Sequence, residues 1–235
     1  MSTEALLQRA VEAVHHLTDA EPPWADLLHG ASALFGTDGA VLIVQDHGRI
    51  RMQQVEASAA AVADYAAHFH AHDVLLAPGL AEPVGTWLET QSVLGVAGRR
   101  RSAYYNDFMC RHRMRQLGTV LLSRASAQHW ASLGLQRERV DERLLARLRG
   151  DHGRRYLIEL QAGLRARQSL AEQCLLTAEA LFGALNEATL LVSTDGAVVQ
   201  VAPGAGPRLA ACGLLHGGRL WHAGEAGRAA LASAL

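Results

Sequence analysis

Apolar residues recur at helical spacing from the start of the chain. Leu6, Leu7, Ala10, Val14 and Leu17 fall on one face of a helix that Ser2 or Thr3 can cap. Glu21-Pro22-Pro23 ends it, and a second helix runs from about Trp24 to Phe35 and stops at Gly36. The pattern then changes to strands. Gly39 to Gln45 is apolar and β-branched, Asp46-His47-Gly48 reads as a tight turn, and Ile50 to Val55 alternates. Ser58 to His72 is alanine-rich with Val62, Tyr65 and Phe69 at helical spacing, and Pro78 and Gly79 interrupt. A strand at Thr86 to Gln91, a helix from about Arg100 to Arg115, and strands at Leu117 to Ser123 and Gln128 to Leu135 follow. Five strands in mainly local, antiparallel order with helices around them predict an α+β domain over residues 1–137.

The organising stretch is Val140 to Leu185. Val140, Leu144 and Leu148 make one stripe on a charged helix. Downstream, Leu157, Leu164, Ala171, Ala178 and Leu185 are seven apart, with Leu160, Arg167, Cys174 and Leu181 between them. That is an a/d seam with one basic intruder. The spacing predicts a connecting and dimerisation helix over 138–185, continuous or interrupted at Gly150-Asp151-His152-Gly153, whose two interior glycines each cost about 1 kcal/mol relative to alanine. Its seam residues Leu157, Leu160, Leu164, Ala171, Cys174, Ala178, Leu181 and Leu185 are the candidate contacts to a second copy. After it the pattern restarts. Strands at Thr189 to Ser193 and Val198 to Ala202 flank a turn, and a short helix spans Pro207 to Leu214, the opening of a second α+β unit over 186–235. So short a unit is marginal alone, and the polypeptide is expected to continue beyond Leu235.

Composition removes several classes. The chain has 235 residues and 22 basic residues against 23 acidic ones, a balance that argues against a nucleic-acid-binding face within it. Every basic residue is arginine. Schiff-base and pyridoxal enzymes, Walker-type phosphate loops and protein kinases need a lysine amine, so they drop out. Cys110, Cys174 and Cys212 are scattered and form no CxxC, which indicates neither zinc ribbon nor disulfide framework. The first residues carry acids in a helical period instead of a signal peptide, no apolar run reaches the roughly 20 residues of a membrane span, and the cytoplasm is expected.

Candidate chemistry is sparse. His68-Phe69-His70-Ala71-His72-Asp73 superficially resembles a hydrolase metal run, but on a helix only His68 and His72 share a face, and two ligands fall short of a zinc site. A zinc-dependent hydrolase using these histidines is kept as an alternative; no metal or cofactor is assigned. Gly204-Ala205-Gly206-Pro207-Arg208-Leu209 lacks the third glycine of a dinucleotide fingerprint. Arg99 to Arg101, with Arg111, Arg113 and Arg115, reads as a solvated cationic surface. With no GxSxG, HExxH or carboxylate pair on a cleft, an enzyme is not expected. Tyr104, Tyr105 and Phe108 crowd one helix–sheet junction in a chain that is only 5% aromatic, which suits the wall of a small-molecule cavity as well as a plain core. Tyr65, Trp87 and Trp130 join that wall if their elements converge.

RRSAYYNDFMCRHRMRQLGTVLL at Arg100 to Leu122 resembles the "fYnDFlrp.glrh.lg..l" stretch in the GAF-like sensory half of LuxR-type helix-turn-helix transcriptional regulators. Leu144 to His152 is similar to their "ll..l.pHl.ra", with Asp151 in place of the usual proline. Ala188 to Leu220 resembles their PAS-like segment, with Ala202-Pro203 standing where Asn-x-x-Ala is usual. The resemblance implies a GAF-like sensory domain, a connecting helix and a partial PAS-like unit. The chain would then bind an unidentified small-molecule effector, form a homodimer, and act on DNA through a C-terminal domain outside these residues. A ligand-free interaction scaffold is the remaining alternative.

Overall fold

The computed structural model describes residues 2–46, 49–56, 58–126, 129–184, 190–192, 198–201, 205–216 and 219–220. The chain divides into two compact units, Met1–Arg167 and Gln168–Leu235.

The first unit begins with helices α1 (Thr3–His15) and α2 (Trp24–Phe35), which pack on each other. Ser2 caps α1 by accepting from the Ala5 amide at 3.2 Å, and Gly36 ends α2 in the left-handed conformation at φ 61°, where glycine meets no Cβ penalty. Strands β1 (Gly39–Asp46), β2 (Arg49–Val55), β3 (Trp87–Glu89), β4 (Gln116–Ser126) and β5 (His129–Arg137) form one antiparallel sheet in the order β2-β1-β5-β4-β3. The fold is α+β, with helices on both faces of the sheet. Pairing β1 with β5, distant in sequence, places the two longest hairpins side by side.

Side chains alternate across the sheet, and the two faces receive different covers. Ala40, Leu42, Val120, Leu122, Leu133 and Leu135 bury against α1, α2 and the helices that follow the sheet. The other face carries Ile43, Met52 and Leu117 toward Tyr65, Tyr104, Phe108, Met109 and Met114. That cover is built from α3 (Ala59–Ala67), a 3-10 turn (Phe69–His72), α4 (Leu76–Ala81), α5 (Thr90–Arg101) and a π-helix (Tyr104–Cys110).

Two expected helices are shorter than the sequence suggests. The run from Ser58 to His72 breaks where His68 leaves helical geometry at φ −141°. The helix expected over Arg100 to Arg115 is instead the end of α5 followed by the π-helix, because the Asn106 amide donates to the carbonyls of Arg99 at 2.9 Å and Ser102 at 2.8 Å. Those bonds terminate α5 and restart the chain in a wider turn. Arg113, at φ 61°, then turns the backbone toward β4 and is held there by a bidentate pair with Glu138, its closest contact 2.7 Å.

The connecting segment is also broken. Helix α6 (Leu144–Arg149) stops at Gly150, whose ψ of 175° is extended, and α7 (Asp151–Ala184) begins directly after it. Gly153 lies inside α7, at a position that only glycine fits: a Cβ there would stand 2.0 Å from the Leu148 carbonyl oxygen. The upstream part of the predicted dimer seam is spent within the unit: Leu157 and Leu160 are buried in the main core and Leu164 packs against it. A residue buried in its own core cannot also be the contact to a twin chain. Arg167, the basic intruder, has an intramolecular role as well. Its guanidinium donates to the Leu17 carbonyl at 2.8 Å and lies over the Trp24 ring at 5.5 Å. Farther along α7, Ala171, Cys174 and Leu181 are exposed and Ala178 is half-buried; Leu185 lies outside the described residues.

In the second unit, β6 (Leu190–Val192) pairs with β7 (Val198–Val201), α8 (Ala205–Ala211) follows, and β8 (Leu215–His216) pairs with β9 (Arg219–Leu220). Ala205 and Leu209 bury against Leu190, Val201 and Leu214. The turn expected between the two strands, Gly204 of the glycine motif and all residues after Leu220 lie outside the described residues.

Candidate functional site

Between the sheet and its second cover lies a cavity of ≈ 90 Å³. This is several times the ~10–15 Å³ that one water occupies on the same measure. Its floor is the sheet: Val41, Ile43, Met52 and Gln54 from the first hairpin, Leu117, Thr119 and Leu121 from β4, and Trp130, Ser132, Gly134 and Gln136 from β5. Its roof comes from Ala61, Val62 and Tyr65 of α3, Asp73, Leu75, Leu76 and Leu80 around α4, and Tyr104 and Phe108 of the π-helix. Gly134 keeps the middle of the floor open. A Cβ on it would lie 2.9 Å from Val41 Cγ1 and 3.3 Å from Leu117 Cδ1, both of which line the cavity.

The π-helix brings its rings over the sheet as a group. Phe108 stacks on Phe69 at 4.9 Å and meets Tyr104 at 5.2 Å and Tyr65 at 5.8 Å. A tether holds this group to α3: His112 at the end of the π-helix contacts Asp64 with Nε2 and Oδ2 2.8 Å apart, and Arg111 stands 3.7 Å from the same oxygen. The two elements of the roof are thereby fixed to each other.

One carboxylate enters the mainly apolar wall. Asp73 Oδ1 accepts from the Leu75 amide at 2.8 Å, and Oδ2 accepts from the Tyr65 hydroxyl at 2.9 Å. Burial raises the Asp73 carboxyl above the usual carboxylate range, although the Leu75 amide and the hydroxyls of Tyr65 and Tyr104 pull the other way. Burial, reinforced by the neighbouring carboxylate, pushes both tyrosine hydroxyls up as well. Among the lining residues there is no lysine, arginine or histidine. The site can therefore take a largely apolar, uncharged molecule and fix it by hydrogen bonds, whereas an anion would find no counter-charge.

Four of the six aromatic residues singled out in the sequence, Tyr65, Tyr104, Phe108 and Trp130, meet at this cavity. The other two do not line it. Trp87 alternates to the opposite face of β3, where its ring packs edge-on against Phe35 at 6.0 Å; its neighbour Leu88 faces the cavity instead. Tyr105 sits at the margin of the aromatic group and donates to the Arg115 carbonyl at 3.0 Å. Sequence reasoning missed Asp73, Ser132, Gly134 and Gln136. Asp73 had a visible signal, a single acid opening the apolar run Asp73-Val74-Leu75-Leu76; the floor residues had none, because their direction depends on strand register.

His68 and His72 lie together, ring centroids 5.1 Å apart, while His70 Nδ1 is 3.3 Å from the Tyr65 carbonyl. Among the described residues no group of three His, Cys, Asp or Glu side chains could hold a metal ion. Of the arginines at the π-helix, Arg111 and Arg113 are engaged with Asp64 and Glu138. No helix among the described residues is long and apolar enough to cross a membrane.

No protein-family model matches the chain, and no curated protein matches it. Solved structures do. The N-acylhomoserine lactone dependent LuxR family transcription factor CepR2 from Burkholderia cenocepacia is similar with a TM-score of 0.52 and 17% identity, over 70% of this chain and 95% of that one. The VqsR LBD domain from Pseudomonas aeruginosa is similar with a TM-score of 0.52 and 12% identity, over 70% of this chain and 96% of that one. The α+β fold described above is thus shared with these regulator domains.

Proposed function

We propose that residues 1–167 form the ligand-sensing domain of a cytoplasmic LuxR-type transcriptional regulator, and that the cavity under the π-helix takes a small, neutral, mainly apolar effector. The observation that carries this reading is a cavity with a mainly apolar wall, a single carboxylate–tyrosine cluster and no cation among its lining residues. The lactone dependence of CepR2 supports the choice of compounds for a first trial, N-acylhomoserine lactones among other neutral metabolites. The chain acts by binding and not by turnover. A ligand here signals only through its different affinities for two arrangements of the domain, and α7, whose first half packs in the core behind the sheet, is the element that carries the difference onward. DNA is contacted by a further domain of the regulator.

Association with a second copy belongs to the same reading, relocated along the helix. Leu170, Leu176 and Leu181 of α7 are exposed, the last two at 63%, and a second chain would cover them. Light scattering before and after Leu181→Glu tests this; a monomeric mass for both proteins removes the dimer.

The sensor itself is tested by thermal unfolding across a library of neutral metabolites, repeated with Ser132→Phe, which fills the floor. A ligand at a hundred times its Kd adds about 2.7 kcal/mol to stability. A compound that stabilises the parent and not the filled variant is the expected result. If no compound stabilises the parent, or if the filled variant responds equally, the domain is not a sensor at this cavity, and the scaffold reading gains.

A further inference from the structure

We propose that the corner of the first unit where α5 meets the π-helix is a docking surface for the phosphate backbone of double-stranded DNA, carried by Arg99, Arg100, Arg101 and Arg115. The proposal rests on the regulator reading above, under which the chain works beside DNA, and adds a contact made by the sensory domain itself.

The near-neutral balance of the chain hides a segregation of charge. Residues 90–115 hold six arginines and one acid, Asp107, whereas the rest of the chain holds sixteen basic residues and twenty-two acids. Two of the six are neutralised, Arg111 by Asp64 at 3.7 Å and Arg113 by Glu138 at 2.7 Å. Arg99, Arg100, Arg101 and Arg115 have no ion pair among the described residues, and the last three of them are exposed.

Hydrogen bonds to the backbone hold these four together. Asn106 donates from Nδ2 to the carbonyls of Arg99 at 2.9 Å and Arg100 at 3.4 Å. Its neighbour Tyr105 donates to the Arg115 carbonyl at 3.0 Å, which also receives Gln91 Nε2 at 2.8 Å. A run of arginines at a helix C-terminus ordinarily answers the carbonyls left open there. Here Asn106 takes that part, so the guanidiniums are not needed for it.

Guanidinium forks match phosphate oxygens, which identifies the kind of partner. A single-stranded site needs exposed rings on which bases stack. Tyr104 and Phe108 are buried and the Tyr105 hydroxyl is committed, so the patch suits a duplex bound through its phosphates, without regard to sequence. A protein partner would need a large anchor among the charges, and α5 exposes only Val96. The acidic remainder of the chain repels the polyanion and turns this corner toward it. Four phosphate contacts alone are weak, with a Kd of about 10⁻⁴ M at moderate salt. A linked DNA-binding domain holds them at an effective concentration on the order of millimolar, about tenfold above that Kd, so the contact forms once the regulator is seated.

The experiment is fluorescence anisotropy of two labelled duplexes of unrelated sequence, each titrated with the 235-residue chain at two salt concentrations a factor of four apart. Both duplexes are expected to bind alike, and four phosphate contacts make the affinity fall about 150-fold between the two salts. With Arg100→Gln and Arg101→Gln together the fall shrinks to about 12-fold, and binding at the lower salt weakens. Arg165→Gln, at an exposed arginine on α7, changes neither. No binding of either duplex at the lower salt, an unchanged salt dependence in the double variant, or an equal loss in Arg165→Gln overturns the proposal. Tighter binding of polyglutamate than of duplex overturns it too, in favour of an acidic protein partner. None of these results touches the cavity, whose reading stands or falls on the thermal shifts with neutral metabolites.

Discussion

Replacing Tyr156 by phenylalanine should make the protein more stable. Tyr156, on the first turns of α7, is fully buried and meets the edge of Phe35 at 5.8 Å. Its hydroxyl has no hydrogen-bonding partner among the described residues, and burial alone raises its pKa. A buried hydroxyl that leaves water without finding a partner costs about 1–3 kcal/mol, and removing one oxygen gives back only a few tenths as a void. The net expectation is a gain of about 1–2 kcal/mol, or roughly 2–8 °C in Tm for a protein of this size. Urea unfolding followed by tryptophan fluorescence is a suitable assay, because Trp87 touches the same Phe35 ring at 6.0 Å. The midpoint should rise with no change in the slope m. A midpoint shift equivalent to a loss of about 1 kcal/mol or more would refute the reasoning, since it would mean that the hydroxyl is hydrogen-bonded and that the core around Phe35 holds a polar contact.

Other substitutions probe other parts of the unit. Leu160→Ala, at a fully buried position in the main core, should cost about 2–5 kcal/mol, measured by the same unfolding curves; a cost below about 1 kcal/mol would put Leu160 on a free surface. Arg167→Met removes the guanidinium from the Leu17 carbonyl and from Trp24 and should lower stability by about 1–2 kcal/mol, with a changed tryptophan spectrum as the accompanying sign. Asp141 accepts from the Arg143 amide and pairs with Arg147 at 2.7 Å, contacts that hold its carboxyl below the ordinary value. Its folded pKa is depressed, so its contribution is present above about pH 4 and disappears as pH falls through the lowered value; Asp141→Asn should flatten the acid limb of a stability–pH curve. Asp73 has the opposite sign. Its folded pKa is raised, so its contribution is fully present below about pH 4 and is lost as pH rises through the folded value, and Asp73→Asn should abolish that loss in the same titration.

Local chemistry made the first elements readable. Ser2, Pro22-Pro23 and Gly36 mark the ends of α1 and α2, and the alternating run after Asp46 gives the first hairpin. What sequence periodicity conveys is that a face is apolar, not what covers it. The spacing of Leu157, Leu160 and Leu164 suits a second helix, and the cover turns out to be the protein's own core, where Val14 of α1 lies so close to Gly163 that a Cβ there would stand 2.7 Å from its side chain. The phase of a short strand is just as silent. Trp87 and Leu88 are both large and apolar, and only the pairing of Leu88 with Thr119 decides that the leucine faces the cavity. The aromatic crowding at Tyr104 to Phe108 was legible; the carboxylate it surrounds showed only as an acid opening an apolar run, because Asp73 reaches Tyr65 only after the turn at His68.

Strand β3, three residues long, has no inert side. Leu88 belongs to the wall of the cavity, and Trp87, next to it, is wedged beside Phe35, the ring that also abuts Tyr156 at the root of α7. Close-packed interiors compress very little, so a push on one side of so thin a partition must emerge on the other. Whatever fills the cavity will press on the footing of the helix without coming near it.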